Sequence, residues 1–148
     1  MLNIWIPVTI ALAVLVLLVV FFVILKTKKA NEFRSKISSV GKYENNLLEI
    51  GDEKFLVVPV KAGTKDEFTV NSKYIIQVKS SSGSRLIEIP DSKYKRIIVV
   101  FPYAGRLKRY INENEMEFIT YENLFWNMYV CRLGELSALK DFILGIRE

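Results

Sequence analysis

Glu44, Asp66, Gln77 and Lys79 are polar residues at positions where core or sheet is expected. Glu44 lies four residues after Val40 and four before Leu48, which puts it on or beside the apolar stripe of an expected helix. Asp66 opens an expected strand after a loop containing Gly63. Gln77 and Lys79 interrupt an apolar strand and, being two apart, share one face. Two carboxylates and an amide oxygen could supply oxygen ligands to Mg²⁺, which takes few protein ligands and keeps its waters. The lysine could orient the attacking water or balance charge on a phosphate, with the metal as Lewis acid. This is the chemistry left open by a chain with no histidine and one cysteine, Cys131. A Ser-His-Asp or Cys-His engine, histidine zinc sites, CxxC chemistry and an internal disulfide are all excluded. Each residue also has an ordinary structural reading: Lys79 and Gln77 as solvent-facing strand residues, Glu44 as a helix-edge acid, Asp66 as a loop residue before a strand.

The elements that would position these residues follow from periodicity. Val40, Tyr43, Leu47 and Leu48 predict a short amphipathic helix over Val40–Ile50, stopped by Gly51. Phe55–Val60 predicts a strand, with Pro59 placing it near an edge or a bulge. Glu67–Val70 and Tyr74–Lys79 predict two strands joined as a hairpin by Asn71-Ser72-Lys73. Ser80–Ser84 is a break, and Arg85–Ile89 is too short to assign before Pro90. Ile97–Phe101 has the composition of a central strand buried on both faces. Tyr103–Asn112 predicts a helix on Leu107 and Ile111, Met116–Thr120 a strand, Tyr121–Trp126 a helical turn, and Leu133–Ile146 a final helix. A hairpin followed by a later crossover helix predicts a mixed α/β sheet.

In this arrangement Glu44, Asp66 and Gln77-Val78-Lys79 resemble the E…D…(D/E/Q)xK motif of the PD-(D/E)xK nuclease superfamily, in particular its archaeal Holliday-junction-resolvase and restriction-endonuclease-like branches. Gly41–Leu48 is similar to the family's first helix. Phe55–Pro59, Asp66–Asn71 and Tyr74–Ser80 are similar to its first three strands. The resemblance covers roughly residues 41–120. It implies a small mixed-sheet, restriction-endonuclease-like domain, with Glu44, Asp66 and Gln77 as metal ligands, Mg²⁺ as cofactor and Lys79 as the catalytic lysine.

A second candidate feature is the basic cluster Lys93, Lys95, Arg96, Arg106, Lys108 and Arg109, interleaved with Tyr94, Tyr103 and Tyr110. Such a pattern suits a DNA or RNA backbone with stacking rings, or simply a solvated face. Acidic Glu113, Glu115, Glu117 and Glu122 follow it, so the field is mixed. The aromatic run Tyr121, Phe125, Trp126 and Tyr129 reads as core or as a partner contact.

The distribution of charge divides the chain. Residues 26–148 carry all 21 basic and 16 acidic side chains. Ile4–Leu25 is free of charge and, as a helix, spans about 33 Å, close to the hydrocarbon thickness of a bilayer. Pro7 is expected in its first turn, Trp5 suits an interface, and Lys26, Lys28 and Lys29 stop it. A signal peptide would carry its positive charge before the apolar run and a small-residue cleavage site after it. The expected organisation is a transmembrane anchor at 1–25, a basic juxtamembrane tether at 26–40 and an α/β domain at 41–148. Lys26, Lys28, Lys29, Arg34 and Lys36, with Glu32 the one acid among them, place that side in the cytoplasm by the positive-inside rule, N-terminus outside. The same cluster suits anionic headgroups.

Two function classes fit these features. One is a membrane-anchored, Mg²⁺-dependent nuclease or a nucleic-acid-binding relative of one. The other is a non-catalytic single-pass adaptor or assembly subunit whose α/β domain binds protein.

Overall fold

Helix gives way to strand at Gly41. The computed structural model describes residues 2–102 and 105–146. Its first element, α1 (Leu2–Val40), is a continuous helix of 39 residues. It contains one stretch long and apolar enough to cross a bilayer. Because α1 starts at Leu2, Pro7 falls in the second turn, where its missing N–H leaves the Asn3 carbonyl without a helical bond. The chain divides into two compact units, Met1–Ser35 and Lys36–Glu148. The expected tether is therefore helical, and its last turn belongs to the domain. There Ile37 and Val40 are buried, at 0% and 3% exposure. Gly41 follows because the turn brings the backbone against a neighbour: a Cβ there would collide with the Glu49 carbonyl oxygen.

The second unit is an α/β domain of two mixed five-stranded sheets and a C-terminal helix. Its strands are β1 (Lys42–Glu44), β2 (Leu47–Ile50), β3 (Glu53–Ala62), β4 (Glu67–Ser72), β5 (Ile75–Ser80), β6 (Gly83–Glu88), β7 (Lys95–Pro102), β8 (Leu107–Asn112), β9 (Glu115–Phe118) and β10 (Met128–Arg132). After a 3₁₀ turn at Leu133–Glu135 comes α2 (Leu136–Leu144). The first sheet has the order β1-β2-β3-β7-β10 and the second β6-β5-β4-β8-β9. β7 lies parallel to both β3 and β10, and β4 lies parallel to β8. A parallel pair needs a long crossover, usually a helix. Here the two crossovers of the first sheet are made of strands of the second, and β4 returns to β8 by way of β5, β6 and then β7 of the first sheet.

Alternation decides which side chains meet. Val58, Val60, Ile98, Val100, Met128 and Val130 of the first sheet face Phe68, Val70, Ile76, Val78 and Leu107 of the second, forming the inter-sheet core. The opposite parity of the first sheet buries Leu48, Ile50, Phe55, Val57, Ile97, Val99 and Cys131. This layer is completed by α2, which contacts β2 and β10 and buries Leu136 and Leu139 completely. The Phe55 and Tyr129 rings lie 6.3 Å apart in it. Ile97–Val100 is thus buried on both faces, as its composition predicts.

Two expected helices are strands. At Val40–Ile50 the chain forms the β1–β2 hairpin, turning on Asn45 and Asn46 at φ 52° and 62°. Two consecutive positive φ values define the two-residue turn whose twist matches paired strands, and asparagine tolerates that conformation. Turn chemistry overrides the apparent helical spacing, and Glu44 stands on a strand. Of the expected helix at 103–112, Tyr103 lies outside the described residues; Leu107–Asn112 is β8, hairpinned to β9. Arg85–Ile89, unassigned from sequence, contributes to β6, antiparallel to β5. Tyr121–Trp126 is a turn rather than helical. Pro59 sits in β3, an interior strand, yet faces no missing bond: the Val57 N–H points to the β2 side, reaching the Asn46 carbonyl at 2.8 Å. β2 ends opposite Leu56, so the same side of Pro59 is an open edge.

Candidate functional site

The four residues of the expected metal site are placed by three different features. Glu44 ends β1 of the first sheet, exposed, and lines a shallow surface hollow with Lys42, Asn45, Leu47, Glu49 and Lys54. Asp66 closes the turn by which the chain passes from β3 to β4: its carboxylate accepts the Gly63 N–H at 2.8 Å, while its own N–H bonds the Gly63 carbonyl at 3.1 Å. Gln77 and Lys79 stand on β5, out of phase with buried Ile76 and Val78, and so on the outer face of the second sheet. Gln77 accepts from the Asn71 amide at 3.3 Å. Lys79 is directly opposite Glu67 in the β4–β5 ladder, an ordinary cross-strand pairing of opposite charges.

Glu44 shares its face with Leu47 and hence with Leu56, which packs towards the space between the sheets. Gln77 and Lys79 point the other way, out of the sandwich. The structure brings Gln77 and Lys79 together and leaves Glu44 on a different sheet and a different face. Among the described residues no three His, Cys, Asp or Glu side chains are grouped to hold a metal ion.

The basic cluster is likewise divided. Arg96 is buried at 5% exposure and donates to the carbonyls of Lys73, Pro90 and Trp126 at 3.4, 3.4 and 2.7 Å, tying three connections together. It is a structural residue rather than a solvent-facing cation. Lys95 reaches Glu53 at 3.4 Å. Arg109 faces inwards, paired with Glu117 and lying 4.2 Å from the Phe125 ring centroid. Lys93 lies over Tyr94, and Arg106 over Phe118 at 5.4 Å. Only Arg106 and Lys108 share the outer face of the second sheet. From residue 41 onwards the chain carries 16 basic and 15 acidic side chains, a net charge of +1. The positive excess of the chain is concentrated at residues 26–36, and the domain has no basic field of the kind a phosphate backbone selects.

The feature that sequence reasoning missed is this outer face. The strand registers align one row across all five strands: Leu86, Gln77, Thr69, Lys108 and Phe118. Beside it, Ile75, Tyr110 and Met116 face the same way. Leu86 is 66% exposed, Phe118 61%, Met116 50% and Ile75 37%. No described element covers them, whereas the first sheet's outer layer is covered by α2. Period-two alternation from Leu107 to Phe118, with Arg85–Ile89 read as a strand, would have revealed the face.

Cys131 lies on the helix side of β10, fully buried. Burial drives its thiol pKa far above the ordinary value, reinforced by the negative charge of Glu135. It is an inert core residue rather than a nucleophile.

The chain matches no protein-family model, no curated protein and no solved structure.

Proposed function

We propose that this chain is a single-pass membrane protein whose domain is a non-catalytic protein-binding module, working through the outer face of its second sheet. The observation that carries the reading is four exposed large apolar side chains, Leu86 and Ile75 towards one edge and Met116 and Phe118 at the other, on a sheet face that no described element covers. Large apolar side chains grouped in pairs in the outward phase of an uncovered sheet support an interaction surface. The nuclease reading needs Glu44 beside Gln77 and Lys79, and those residues stand on different faces. In the module reading the apolar stretch of α1 is a retained anchor. The basic residues 26–36 set the N-terminus outside and the domain in the cytoplasm.

Thiol accessibility tests the proposal in the full chain, because buried Cys131 gives no background. Thr69→Cys, at the centre of the face, should react with a maleimide at least fivefold more slowly in native membranes than after detergent has stripped bound partners. Asp52→Cys, in an exposed turn of the first sheet, should react equally in both. Equal rates for Thr69→Cys would sink the reading. Metal-dependent cleavage of DNA by the full chain, abolished by Lys79→Ala, would restore the nuclease.

A further inference from the structure

We infer that the open pocket at the carboxyl ends of β4 and β8 binds a neutral carbohydrate ring, stacked on Trp126. The inference is independent of the sheet-face reading and adds a small-molecule site to it.

Two bulges build the pocket. β4 and β8 pair in parallel from Phe68 opposite Leu107 to Val70 opposite Arg109. Just beyond, each strand carries an extra residue against its own hairpin partner, Asn71 in β4 and Ile111 in β8. A bulge bends its strand and disrupts regular pairing, and bulges are common beside functional sites. At these two strand ends lies a pocket of about 470 Å³, whose lining includes Asn71, Ser72, Tyr110, Asn112, Glu113 and Trp126. Its size falls within the roughly 300–1,000 Å³ of small-molecule sites.

The choice of Trp126 is the observation that points to a ligand. Trp126 and Asn127 are the central residues of a tight turn whose ends, Phe125 and Met128, exchange backbone hydrogen bonds at 3.2 and 2.9 Å. They take φ 47° and 60°. The β1–β2 hairpin makes the same kind of turn with Asn45 and Asn46, and asparagine tolerates positive φ. At the pocket the chain instead puts its bulkiest type of side chain into a conformation that disfavours it. Core packing does not account for the choice, because Trp126 remains 39% exposed. Arg96, buried, holds the turn through the Trp126 carbonyl at 2.7 Å. A locally unfavourable residue, held in place by its surroundings and left open in a pocket wall, is the mark of a side chain kept for binding.

The rest of the lining sets the polarity of the ligand. It holds one carboxylate, Glu113, and no lysine or arginine among the described residues, which selects against anions. An amine could use the carboxylate and the rings, but the other acceptors are engaged. The Ser72 hydroxyl oxygen accepts the Tyr74 N–H at 3.2 Å, and Asn112 Oδ1 accepts the Asn114 N–H at 3.0 Å. Asn112 is left with its amide N–H groups to offer, and Ser72 chiefly with its hydroxyl proton, neither of which a cation can accept. The ligand must accept at these two groups, donate to Glu113, carry no charge and present an apolar face to an aromatic plane. A pyranose does all four: its hydroxyls donate and accept around the rim, and its C–H groups form an apolar face.

The test uses the full chain in vesicles of phosphatidylethanolamine and phosphatidylglycerol, which carry neither sugar nor choline. Trp5→Phe leaves Trp126 as the one tryptophan, and its emission is titrated with glucose, galactose, mannose and N-acetylglucosamine. At least one should give a saturable change in the millimolar range or tighter. The 6-phosphate of that sugar should bind at least fivefold more weakly. Asn112→Ala and Glu113→Gln should each weaken the parent sugar at least tenfold. Trp126→Asn, read by saturation-transfer NMR of the sugar, should lose binding while its unfolding midpoint stays equal to the parent's or rises. A lower midpoint in Trp126→Asn would mean that the indole is kept for packing, and overturns the inference. So does a panel in which no sugar saturates, affinity unchanged by Asn112→Ala and Glu113→Gln, or saturation by choline and by none of the sugars.

Discussion

Replacing Arg96 by methionine should destabilise the domain by about 2–3 kcal/mol. The guanidinium is buried and holds the β4–β5 turn through Lys73, the approach to β7 through Pro90, and the Phe125–Met128 turn through Trp126. Methionine keeps most of the volume but strands three carbonyls. The 2.7 Å bond to Trp126 is the strongest, and a bond to a charged donor contributes about 1.5–3 kcal/mol. The two contacts at 3.4 Å are long and add less. Trp126 and Asn127 take φ 47° and 60°, a conformation that costs a non-glycine residue about 1–2 kcal/mol and persists only where its surroundings impose it. Against these losses stands the relief of removing a buried charge, whose Nε has no partner among the described residues. The stranded carbonyls outweigh it, because the short bond and the strained turn depend on the same group. Arg96→Lys, which can reach one carbonyl but cannot fork, should lose about half as much. Urea unfolding followed by Trp126 emission in a Trp5→Phe background measures both, and Asn127→Gly should recover part of the loss by relieving the turn. An Arg96→Met variant within about 0.5 kcal/mol of the parent, or more stable than it, would refute the reasoning.

Removing residues 1–29 should leave a soluble, folded domain, whereas removing 1–40 strips buried Ile37 and Val40 and should cost about 3–4 kcal/mol, read as the difference in urea midpoints. Asn46→Val forces a β-branched residue to positive φ in the β1–β2 turn and should cost about 1–2 kcal/mol by thermal unfolding, while Asn46→Gly should be neutral or stabilising. The Cys131 thiol stays protonated in the fold and ionises in the unfolded chain above its ordinary value of 9.0, so its contribution is present below that pH and lost as pH rises. The stability difference between parent and Cys131→Ala should therefore fall by about 1.4 kcal/mol per pH unit between pH 9 and 11, and a flat difference would contradict the burial argument. Lys79→Ala, removing an exposed cross-strand partner of Glu67, should change stability by less than about 0.5 kcal/mol.

The parts of the fold legible in the sequence are those where one signal acts alone. Ile4–Leu25 has no charge to compete with its apolar length. Ile97–Phe101 is apolar at every position, which a strand buried on both faces requires. Glu67–Val70 and Tyr74–Lys79 have a turn between two alternating runs. The misread segments carry two signals. Val40, Tyr43, Leu47 and Leu48 match a helix, but Val40 closes α1 and the others lie either side of the Asn45-Asn46 turn. Leu107 and Ile111 are four apart, which suits a helix, and also even in spacing, which suits a strand; Arg109 between them faces inwards as an arginine paired with Glu117 and hides the alternation. The expected site inherited the first of these errors. Glu44 was to approach Lys79 from a helix packed on the sheet, and a hairpin strand in the other sheet cannot bring it there.

The uncovered face follows from the way the parallel pairs are connected. A sheet containing parallel strands is usually covered by the helices that connect them, because each crossover passes over one face. Here the chain goes from β3 to β7 through β4, β5 and β6, from β7 to β10 through β8 and β9, and from β4 to β8 through β5, β6 and the first sheet's β7, so strands and not helices make every crossover. The connections cover the inner face of each sheet and leave both outer faces without helices. Two pieces of helix remain to cover them, the last turn of α1 and the nine residues of α2. α2 lies against the first sheet, near β2 and β10, and the last turn of α1 buries Ile37 and Val40. No described helix is left to cover the second sheet, yet Leu86, Phe118, Met116 and Ile75 are apolar in the outward phase, where solubility alone favours polar residues. Connectivity explains why the face is open. It does not explain those four side chains, and a partner surface does.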